Sequence, residues 1–273
     1  MKRIAITGGK GGTGKSTFAV LLAYKLLKEG KKVVLCDADV ECPNDHLILG
    51  KGLEFPEPVY QKIPVIDPGE CRKCGLCVRE CRFNALFQLP GKPPSVVENL
   101  CCGCGLCWTI CPHGAISKRN KECGKSYETR IEKDFWLVTG LSSAGVEETG
   151  PIVRDTKIRA EEVAKKVGAD YLLVDTAAGT HCDVINALMR NEKAYVVTEP
   201  TILGEHDSEL ILKLLDVIGI PKEIVLNKAG VASKKGVEKV AEKFETKISF
   251  EIPYSEELVK AYCRGNLRGL DLL

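Results

Sequence analysis

The chain has 273 residues, 44% of them hydrophobic, and 39 lysines and arginines nearly balance 37 aspartates and glutamates, for a net charge of +2. This length permits one large α/β domain or two modest ones, and the interspersed charges exclude the basic patch of a nucleic-acid-binding protein. No apolar run approaches the roughly 18 residues of a membrane span, and a predicted strand at the N-terminus leaves no room for a signal peptide. We therefore expect a cytoplasmic protein with neither nucleic-acid nor membrane partners.

A glycine-rich loop near the start lies between a predicted strand at residues 3–7 and a predicted helix at residues 18–27. It matches the pattern G-x-x-x-x-G-K-S, in which backbone N–H groups surround phosphate oxygens. Lys15 supplies a positive charge, Ser16 places a hydroxyl on Mg²⁺, and the helix adds the positive end of its dipole. The residues predicted to contact the nucleotide here are Gly9, Lys10, Gly11, Gly12, Thr13, Gly14, Lys15, Ser16 and Thr17.

Acidic residues end two further predicted strands. Asp37 and Asp39 close a buried strand that begins near Val33, and Asp175 closes the apolar run at residues 171–174. Ligands of open α/β sheets bind beyond the carboxyl ends of the strands. We therefore expect these acids beside the phosphate loop, with Asp39 the better catalytic candidate because Asp37 could simply hold a loop.

Cysteine is unusually abundant, at 14 residues, and eight of them form a repeat with a period of 30 residues. Each copy, at residues 71–86 and 101–116, carries C-x₂-C-x₂-C-x₃-C. This is the bacterial ferredoxin run, whose fourth cysteine ligates the other cluster, and it predicts two [4Fe–4S] clusters rather than disulfides. The predicted ligands are Cys71, Cys74, Cys77 and Cys111 for the first cluster, and Cys101, Cys104, Cys107 and Cys81 for the second.

Two details of the repeat leave alternatives. A zinc site is possible for any C-x₂-C pair, but two four-cysteine runs argue against it. Cys102 beside Cys101 creates a one-residue ambiguity, which the spacing to Cys104 and the repeat resolve in favour of Cys101. Arg82 stands where proline usually follows the fourth cysteine, while Pro112 keeps the pattern, so the turn or the charge at the second cluster is expected to differ.

The repeat interrupts an α/β pattern. Prolines at 56, 58, 64 and 68 break any helix and mark the exit from the first domain, and two predicted strands at 126–131 and 134–139 form a hairpin leading back. Strands then alternate with helices, which predicts a mostly parallel sheet. We expect a discontinuous α/β domain at 1–60 and 119–273, with an inserted domain at 61–118. Cys123 is expected to be an incidental thiol in a polar loop.

Lys10 extends the loop motif to K-G-G-x-G-K-[ST], which resembles the deviant Walker A of the MinD/ParA/Mrp/nitrogenase iron protein class of ATPases. The resemblance covers essentially the whole chain outside the insertion. With the insertion, the chain is similar to MinD-superfamily ATPases that carry an inserted ferredoxin domain. The resemblance implies a P-loop NTPase fold with helices on both faces of the sheet, and a small α+β ferredoxin-like insertion.

The resemblance also implies roles for individual residues. Lys10 would reach across an ATP-dependent homodimer and act in catalysis with Lys15 and Asp39, the latter orienting the attacking water. Asp175 would support Mg²⁺ together with Ser16, and Gly179 would sense the γ-phosphate. The adenine contacts would come from Asn227 and Pro253.

Departures from the class narrow the function. The basic tail of MinD is missing, so membrane targeting is not expected, and the C-x-x-C of Mrp-type cluster carriers is missing as well, with only Cys263 nearby. Cys182 follows Asp175 at a spacing similar to that of the cluster cysteine of the nitrogenase iron protein. Cys42 would be its companion at a dimer face, although two small packed thiols are the more ordinary interpretation.

These features predict a slow, partner-regulated ATPase that uses ATP, Mg²⁺ and two [4Fe–4S] clusters. The first hypothesis is that ATP-dependent conformational change in the dimer is coupled to electron transfer toward a redox partner. The alternative is an ATPase for assembly of iron–sulfur clusters or metal cofactors, with a cluster-accepting partner protein. A positioning protein and an amidation ligase find little support, because the membrane tail and a glutaminase portion are both lacking.

Overall fold

A computed structural model of the chain describes residues 1–270 and 272–273. The strands are β1 (Lys2–Thr7), β2 (Val33–Ala38), β3 (Pro56–Ile66), β4 (Leu86–Phe87), β5 (Ser95–Val96), β6 (Ile116–Glu132), β7 (Phe135–Ser142), β8 (Tyr171–Thr176), β9 (Lys193–Thr198), β10 (Lys222–Ala229) and β11 (Ile248–Pro253). The helices are α1 (Lys15–Lys28), α2 (Asp45–Ile48), α3 (Leu76–Arg79), α4 (Leu106–Thr109), α5 (Gly150–Val167), α6 (Cys182–Leu188), α7 (Ile202–Ile218), α8 (Lys235–Lys243) and α9 (Glu256–Cys263).

Nine strands join one sheet in the order β11-β10-β9-β1-β8-β2-β7-β6-β3. The pairs from β11 through β7 are all parallel, which is the sheet type predicted from the alternation of strands and helices. Its central strands β2 and β8 are mostly apolar, apart from Asp37, Asp175 and Thr176 near their carboxyl ends, and are almost entirely buried, as expected for strands covered on both faces. Their carboxyl ends therefore form a single edge at which polar side chains meet.

The chain forms two compact units. The first contains Met1–Pro56, Ser126–Leu141 and Val153–Leu273, and the second contains Glu57–Lys125 and Ser142–Ile152. The predicted insertion at 61–118 falls inside the first segment of the second unit. Within the described part of the chain, no helix combines the length and the apolar character needed to cross a bilayer.

One strand was not anticipated and one local expectation needs correction. The proline-rich stretch contains no helix, as expected, but it forms strand β3, which is possible because β3 is an edge strand, where missing backbone N–H groups are tolerated. Cys123 lies in β6 rather than in a polar loop and is fully buried, with its Sγ 3.4 Å from the carbonyl oxygen of Val59. Charged neighbours in its sequence concealed this position, because alternate residues of a strand face opposite sides.

Candidate functional site

The loop at residues 8–14 connects β1 to α1 beside a cavity of about 340 Å³. Gly14 has a left-handed φ of 93° and immediately precedes α1, so the loop runs directly into the positive end of the helix. Lys15 is only 7% exposed, and its Nζ lies 3.5 Å from the carbonyl oxygen of Lys10. Glycine backbone, helix terminus and a buried lysine together make an anion site.

Several predicted residues line this cavity, and others lie outside its lining. Those that line it are Gly11, Gly12, Gly14, Lys15, Ser16, Thr17, Asp39, Asn227 and Pro253. Those that do not are Gly9, Lys10, Thr13, Asp175 and Gly179. Gly179 is nevertheless tied to the loop, because its N–H donates to the carbonyl oxygen of Gly8 at 3.1 Å. The segment after β8 thus contacts the phosphate loop directly.

The wall opposite the loop comes from the ends of β10 and β11 and from α9. The amide nitrogen of Asn227 donates to the carbonyl oxygen of Thr13 at 2.7 Å. A Cβ on Gly14 would lie 2.2 Å from that amide, so only glycine fits there. Tyr254 and Tyr262 also line the cavity. Tyr254 directly follows Pro253 at the end of β11, the segment in which adenine contacts were expected, whereas Tyr262 lies in α9 and the sequence analysis missed it.

Lys10 is held by an acid that the sequence analysis did not single out. Its Nζ lies 2.5 Å from Oε1 of Glu199, and Lys228 Nζ lies 2.7 Å from Oε2 of the same carboxylate. Burial raises the pKa of Glu199, but the hydrogen bonds from the two lysines outweigh burial and hold the pKa below its ordinary value. Glu199 directly follows β9, so the same strand-end rule could have found it.

The predicted acids differ in their surroundings. Asp39 is half-buried at the cavity, and its Oδ1 accepts a hydrogen bond from the N–H of Cys42 at 3.3 Å. Burial raises the pKa of Asp39, while this bond and the charge of Lys15 oppose the shift. Asp175 is 1% exposed, and burial raises its pKa to about 7. Asp37 accepts from the N–H groups of three residues at 3.0–3.2 Å, namely Asp39, Asn44 and Asp45.

In the second unit, the two copies of the cysteine repeat also share their backbone conformation. Each run contains a four-residue helix, α3 or α4, after its second cysteine. Ala85 and Ala115, at equivalent positions, are each 2% exposed. The matched positions with positive φ are Lys73 and Gly103, Gly75 and Gly105, and Asn84 and Gly114. Two copies of one loop conformation therefore present their cysteines in the same way.

The cysteines surround two cavities in this unit. A cavity of about 300 Å³ is lined by Cys81 of the first run together with Cys101, Cys104 and Cys107 of the second, and also by Cys77 and Cys102. A smaller one, of about 20 Å³, is lined by Cys71, Cys74, Cys77 and Cys111. Each cavity thus joins three cysteines of one run to the fourth cysteine of the other. These are the two sets that the spacing predicts.

The sulfur atoms of the described cysteines lie farther apart than those of a closed zinc site. Zinc–sulfur bonds of about 2.3 Å in a tetrahedral site would bring the sulfurs to about 3.8 Å from one another. Among the described residues, no three cysteine sulfurs lie within 4.8 Å of each other. Four-cysteine sets arranged around a cavity suit the larger [4Fe–4S] group. Burial and neighbouring thiols raise the pKa of Cys107 to about 11, a cost that a cationic group would offset.

Comparison with known proteins shows the family to which the chain belongs. The sequence profile of CbiA, the CobQ/CobB/MinD/ParA nucleotide binding domain, matches residues 4–268. The chain belongs to the CobQ/CobB/MinD/ParA family. Two relatives from Methanocaldococcus jannaschii are uncharacterised. MJ0579 is 35% identical over 97% of this chain and 90% of its own, and MJ0578 is 31% identical over 84% and 79%.

The solved structures agree on the family fold. MinD from Pyrococcus horikoshii, a septum site-determining protein complexed with Mg-ADP, superposes with a TM-score of 0.58 at 18% identity, over 97% of this chain and 86% of that one. At this identity the likeness extends to the fold alone, an α/β P-loop NTPase with a mostly parallel sheet. The match to the nucleotide binding domain of the CobQ/CobB/MinD/ParA family extends over most of this chain.

Proposed function

We propose that the protein binds and hydrolyses ATP with Mg²⁺ and couples ATP-dependent homodimerisation to electron transfer through two [4Fe–4S] clusters. The observation that carries this proposal is the pair of crossed four-cysteine sets in a chain whose other unit is a nucleotide-binding domain. The function therefore goes beyond the division and partition roles for which relatives are named, because it uses the cysteine unit.

On the nucleotide side, the loop N–H groups and Lys15 would hold the phosphates, and the base would lie against Asn227 and Pro253. Ser16 and Asp175 would hold Mg²⁺, as the Mg-ADP complex of the Pyrococcus horikoshii relative suggests. Asp39, half-buried at the same cavity, would orient the attacking water. Because phosphoryl transfer depends chiefly on positioning and charge stabilisation, these residues are sufficient for slow hydrolysis.

Lys10 links ATP hydrolysis to dimerisation. In a single chain it pairs with Glu199, so it is held beside its own loop. In the proposed dimer it leaves Glu199 and neutralises phosphate charge on the partner's nucleotide. Gly179, hydrogen-bonded to the loop through Gly8, would respond to the γ-phosphate and carry the nucleotide state into the segment before α6.

In the cysteine unit, the first set would hold one cluster and the second set the other. When bound, the clusters supply one-electron carriers whose potentials depend on nearby charge and exposure to solvent. The chain contributes an apolar enclosure around both sets, in which Leu86, Ile116 and Trp108 pack with the cysteines. The partner would be a redox protein that docks against this unit.

A second candidate, assembly or transfer of an iron–sulfur cluster or metal cofactor, is favoured by one observation. Cys42 and Cys182 are both exposed, and each follows a strand that ends at the nucleotide edge of the sheet. Exposed thiols there could carry a labile metal whose release depends on ATP. This use of the two cysteines would give the protein a cluster-accepting partner.

Iron counting separates the two functions. The chain is reconstituted anaerobically, and iron is measured in the wild type and in Cys42→Ser/Cys182→Ser. About eight irons per chain in both forms, removed by serine substitution of the crossed sets, support electron transfer. Additional chelator-removable iron that is lost in the double variant supports assembly instead. Absence of cluster iron from the wild type would refute both.

The role of Lys10 has its own test. Lys10→Ala is expected to reduce ATP hydrolysis by at least about tenfold, because a charge supplied in trans stabilises the transition state. Lys31→Ala, at an exposed lysine outside the loop, is the matched control. Hydrolysis by Lys10→Ala at the wild-type rate would exclude catalysis in trans.

A further inference from the structure

Three exposed cations, Lys73, Arg79 and Lys92, lie beside the first cysteine run of the second unit. The side-chain amide of Gln88 joins the two lysines, because its Nε2 donates to the carbonyl oxygens of Lys73 and Lys92 at 3.1 and 2.8 Å. The guanidinium group of Arg79 donates to the carbonyl oxygen of Cys74 at 3.1 Å. The three cations therefore form one basic patch at the edge of the first cysteine set.

Acids of the same segment do not neutralise the basic patch. Among the residues that the structure describes, none of its three cations forms an ion pair with a carboxylate. Between residues 71 and 92 the sequence holds one acid, Glu80, against five basic residues. The basic residues are Arg72, Lys73, Arg79, Arg82 and Lys92. This surface is therefore available to a negatively charged partner.

The charge of a bound cluster does not account for the basic patch. The two cysteine sets would hold clusters of the same type, so both would need the same neutralising charge. Yet the sequence from residue 101 to residue 112, which contains the second run, has no charged residue. Gly103 stands at the position of Lys73, and Thr109 stands at that of Arg79. The cations are therefore specific to the first run.

The backbone at Lys73 points to a role for its side chain. Lys73 has a left-handed φ of 58°, and Gly103 has a φ of 73° at the equivalent position. This region favours glycine, because a Cβ crowds the backbone there. Glycine would form the same turn without strain, and strained residues of this kind concentrate at functional sites. The charge of Lys73, rather than its backbone preference, therefore explains why lysine occupies the turn.

Exposed apolar side chains adjoin the basic patch. Phe87 and Leu89, on either side of Gln88 in the chain, are 47% and 61% exposed. Apolar side chains beside charged ones are typical of protein interfaces, which have an apolar centre and a polar rim. A nucleic acid fits less well, because its backbone presents a long row of phosphates and the basic patch has three cations. Cys74 is itself exposed, so a protein seated here would lie close to its sulfur.

We propose that the basic patch, together with Phe87 and Leu89, is the docking site of an electron-carrier protein with an acidic face. This assignment rests on the proposed function, in which the cysteine unit exchanges electrons with a redox partner. Carboxylates of the partner pair with the cations of the patch, and this attraction speeds encounter and aligns the two proteins. The first cysteine set, through Cys74, is then the set that faces the partner.

Calorimetric titration of the full, anaerobically reconstituted chain with a flavodoxin of strongly negative net charge tests the docking site. The dissociation constant of the wild type is expected to rise at least about fivefold from about 20 to 200 mM NaCl, because salt screens exposed charges. At low salt, Lys73→Glu/Lys92→Glu should weaken binding by about tenfold or more, because two attractive pairs become repulsive. Arg79 is left unchanged, because its hydrogen bond to Cys74 braces the cysteine loop.

The matched control is Lys118→Glu/Lys125→Glu, which changes the net charge equally at two exposed lysines of β6. It should bind flavodoxin within about twofold of the wild type, since charges outside the contact are screened. If Lys73→Glu/Lys92→Glu does not fold, Lys92→Glu alone, outside the cysteine run, should weaken binding by about threefold.

Three outcomes overturn the docking site: a wild type that does not bind flavodoxin, equal binding by the two double variants, or tighter binding of a single-stranded RNA than of flavodoxin. Iron analysis of the same samples separates this proposal from the proposed function. Wild-type protein that lacks cluster iron but binds flavodoxin through Lys73 and Lys92 refutes only the proposed function. Full iron content with equal binding by the two double variants refutes only the docking site.

Discussion

Glu199 neutralises two lysines with one carboxylate, and its position just after β9 brings it against the phosphate loop. Lys228 also donates to the carbonyl oxygen of Gly12 at 3.4 Å. The acid thus balances positive charge that phosphate would otherwise neutralise. At the scale of single residues, Glu199 and the phosphate groups of a nucleotide therefore compete for the same two lysines, Lys10 and Lys228.

Replacing Glu199 tests that competition. Glu199→Gln is expected to strengthen dimerisation with a non-hydrolysable ATP analogue by at least about fivefold, because the dimer no longer has to break a pair worth about 1 kcal/mol. Sedimentation velocity over a concentration series measures the effect. Glu209→Gln, which removes an exposed pair with Lys243 on the same chain, is the control. Weaker dimerisation in Glu199→Gln would show that Glu199 supports the dimer instead.

Asp175 gives a prediction about pH. Its pKa in the folded protein, about 7, is far above the ordinary 3.8, so the carboxyl group of divalent-free protein is protonated below pH 7. Mg²⁺ needs the carboxylate, and its binding therefore releases a proton. The affinity for Mg·ADP should rise by up to about tenfold per pH unit from pH 5.5 to 7 and then level off.

Calorimetry in two buffers of different ionisation enthalpy measures the proton released. ADP without Mg²⁺ is the control and should show less dependence on pH, because it does not use Asp175. An affinity for Mg·ADP that is constant between pH 5.5 and 7 would contradict the expected protonation.

Sequence patterns predicted which residue types bind phosphate, but they did not predict which side chains contact one another in the site. The loop glycines, Lys15 and Ser16 are recognisable because phosphate binding constrains residue type at fixed spacing. Glu199 belongs to no local pattern, since its partners Lys10 and Lys228 are distant from it in sequence. It follows a strand that ends at the nucleotide edge of the sheet, so the topology was informative where the motif was not.

At the scale of elements, the short helix α6 is held at its carboxyl end by a lysine of α5. Lys157 of α5 is 7% exposed, and its Nζ donates to the carbonyl oxygens of Asn186, Ala187 and Met189 at 3.2, 2.8 and 2.5 Å. The ammonium group meets the negative end of the helix, where free carbonyls accumulate. Burial lowers the pKa of Lys157. The three hydrogen bonds hold its side chain in place.

Lys157→Met should therefore destabilise the protein by about 2–4 kcal/mol, because three carbonyls lose their donor in a buried site. Urea unfolding measures the loss, and hydrogen exchange should show earlier opening of residues 182–188. Lys165→Met, at an exposed position of the same helix, is the control. Equal stability of the two variants would mean that the helix does not depend on Lys157.

Among the elements, the long periodic strands and helices were predictable from the sequence, and the edge strand β3 was not. Strands and helices after residue 150 follow the predicted alternation. The predicted hairpin corresponds to β6 and β7, which are neighbours in the sheet. β3 was missed because proline argues against a central strand, and only the sheet order reveals an edge.

At the scale of the molecule, the chemistry divides between the two units. All residues lining the nucleotide cavity belong to the first unit, and both cysteine sets belong to the second. The sequence separated these regions by composition, but it could not foresee that residues 142–152 join the second unit. That segment is assigned by its contacts in space, which no local pattern encodes.

This division predicts independent binding. Cys104→Ser should remove iron held by the second set while leaving the dissociation constant for ADP within about twofold of the wild type, because it changes no residue of the nucleotide cavity. Cys263→Ser, in the first unit, is the control for loss of a cysteine. Fluorescent ADP titration and iron analysis of the same samples provide the measurement. A tenfold loss of ADP affinity would show that the cysteine unit supports the nucleotide cavity.

The contact between Gly14 and Asn227 also restricts how this protein can change. A side chain at position 14 would collide with the amide of Asn227 and would also be strained by the left-handed backbone, whatever residue stood at 227. A smaller residue at 227 removes the amide that braces the loop through Thr13. Neither substitution therefore compensates for the other, and two positions 213 residues apart along the chain are each confined to one residue type.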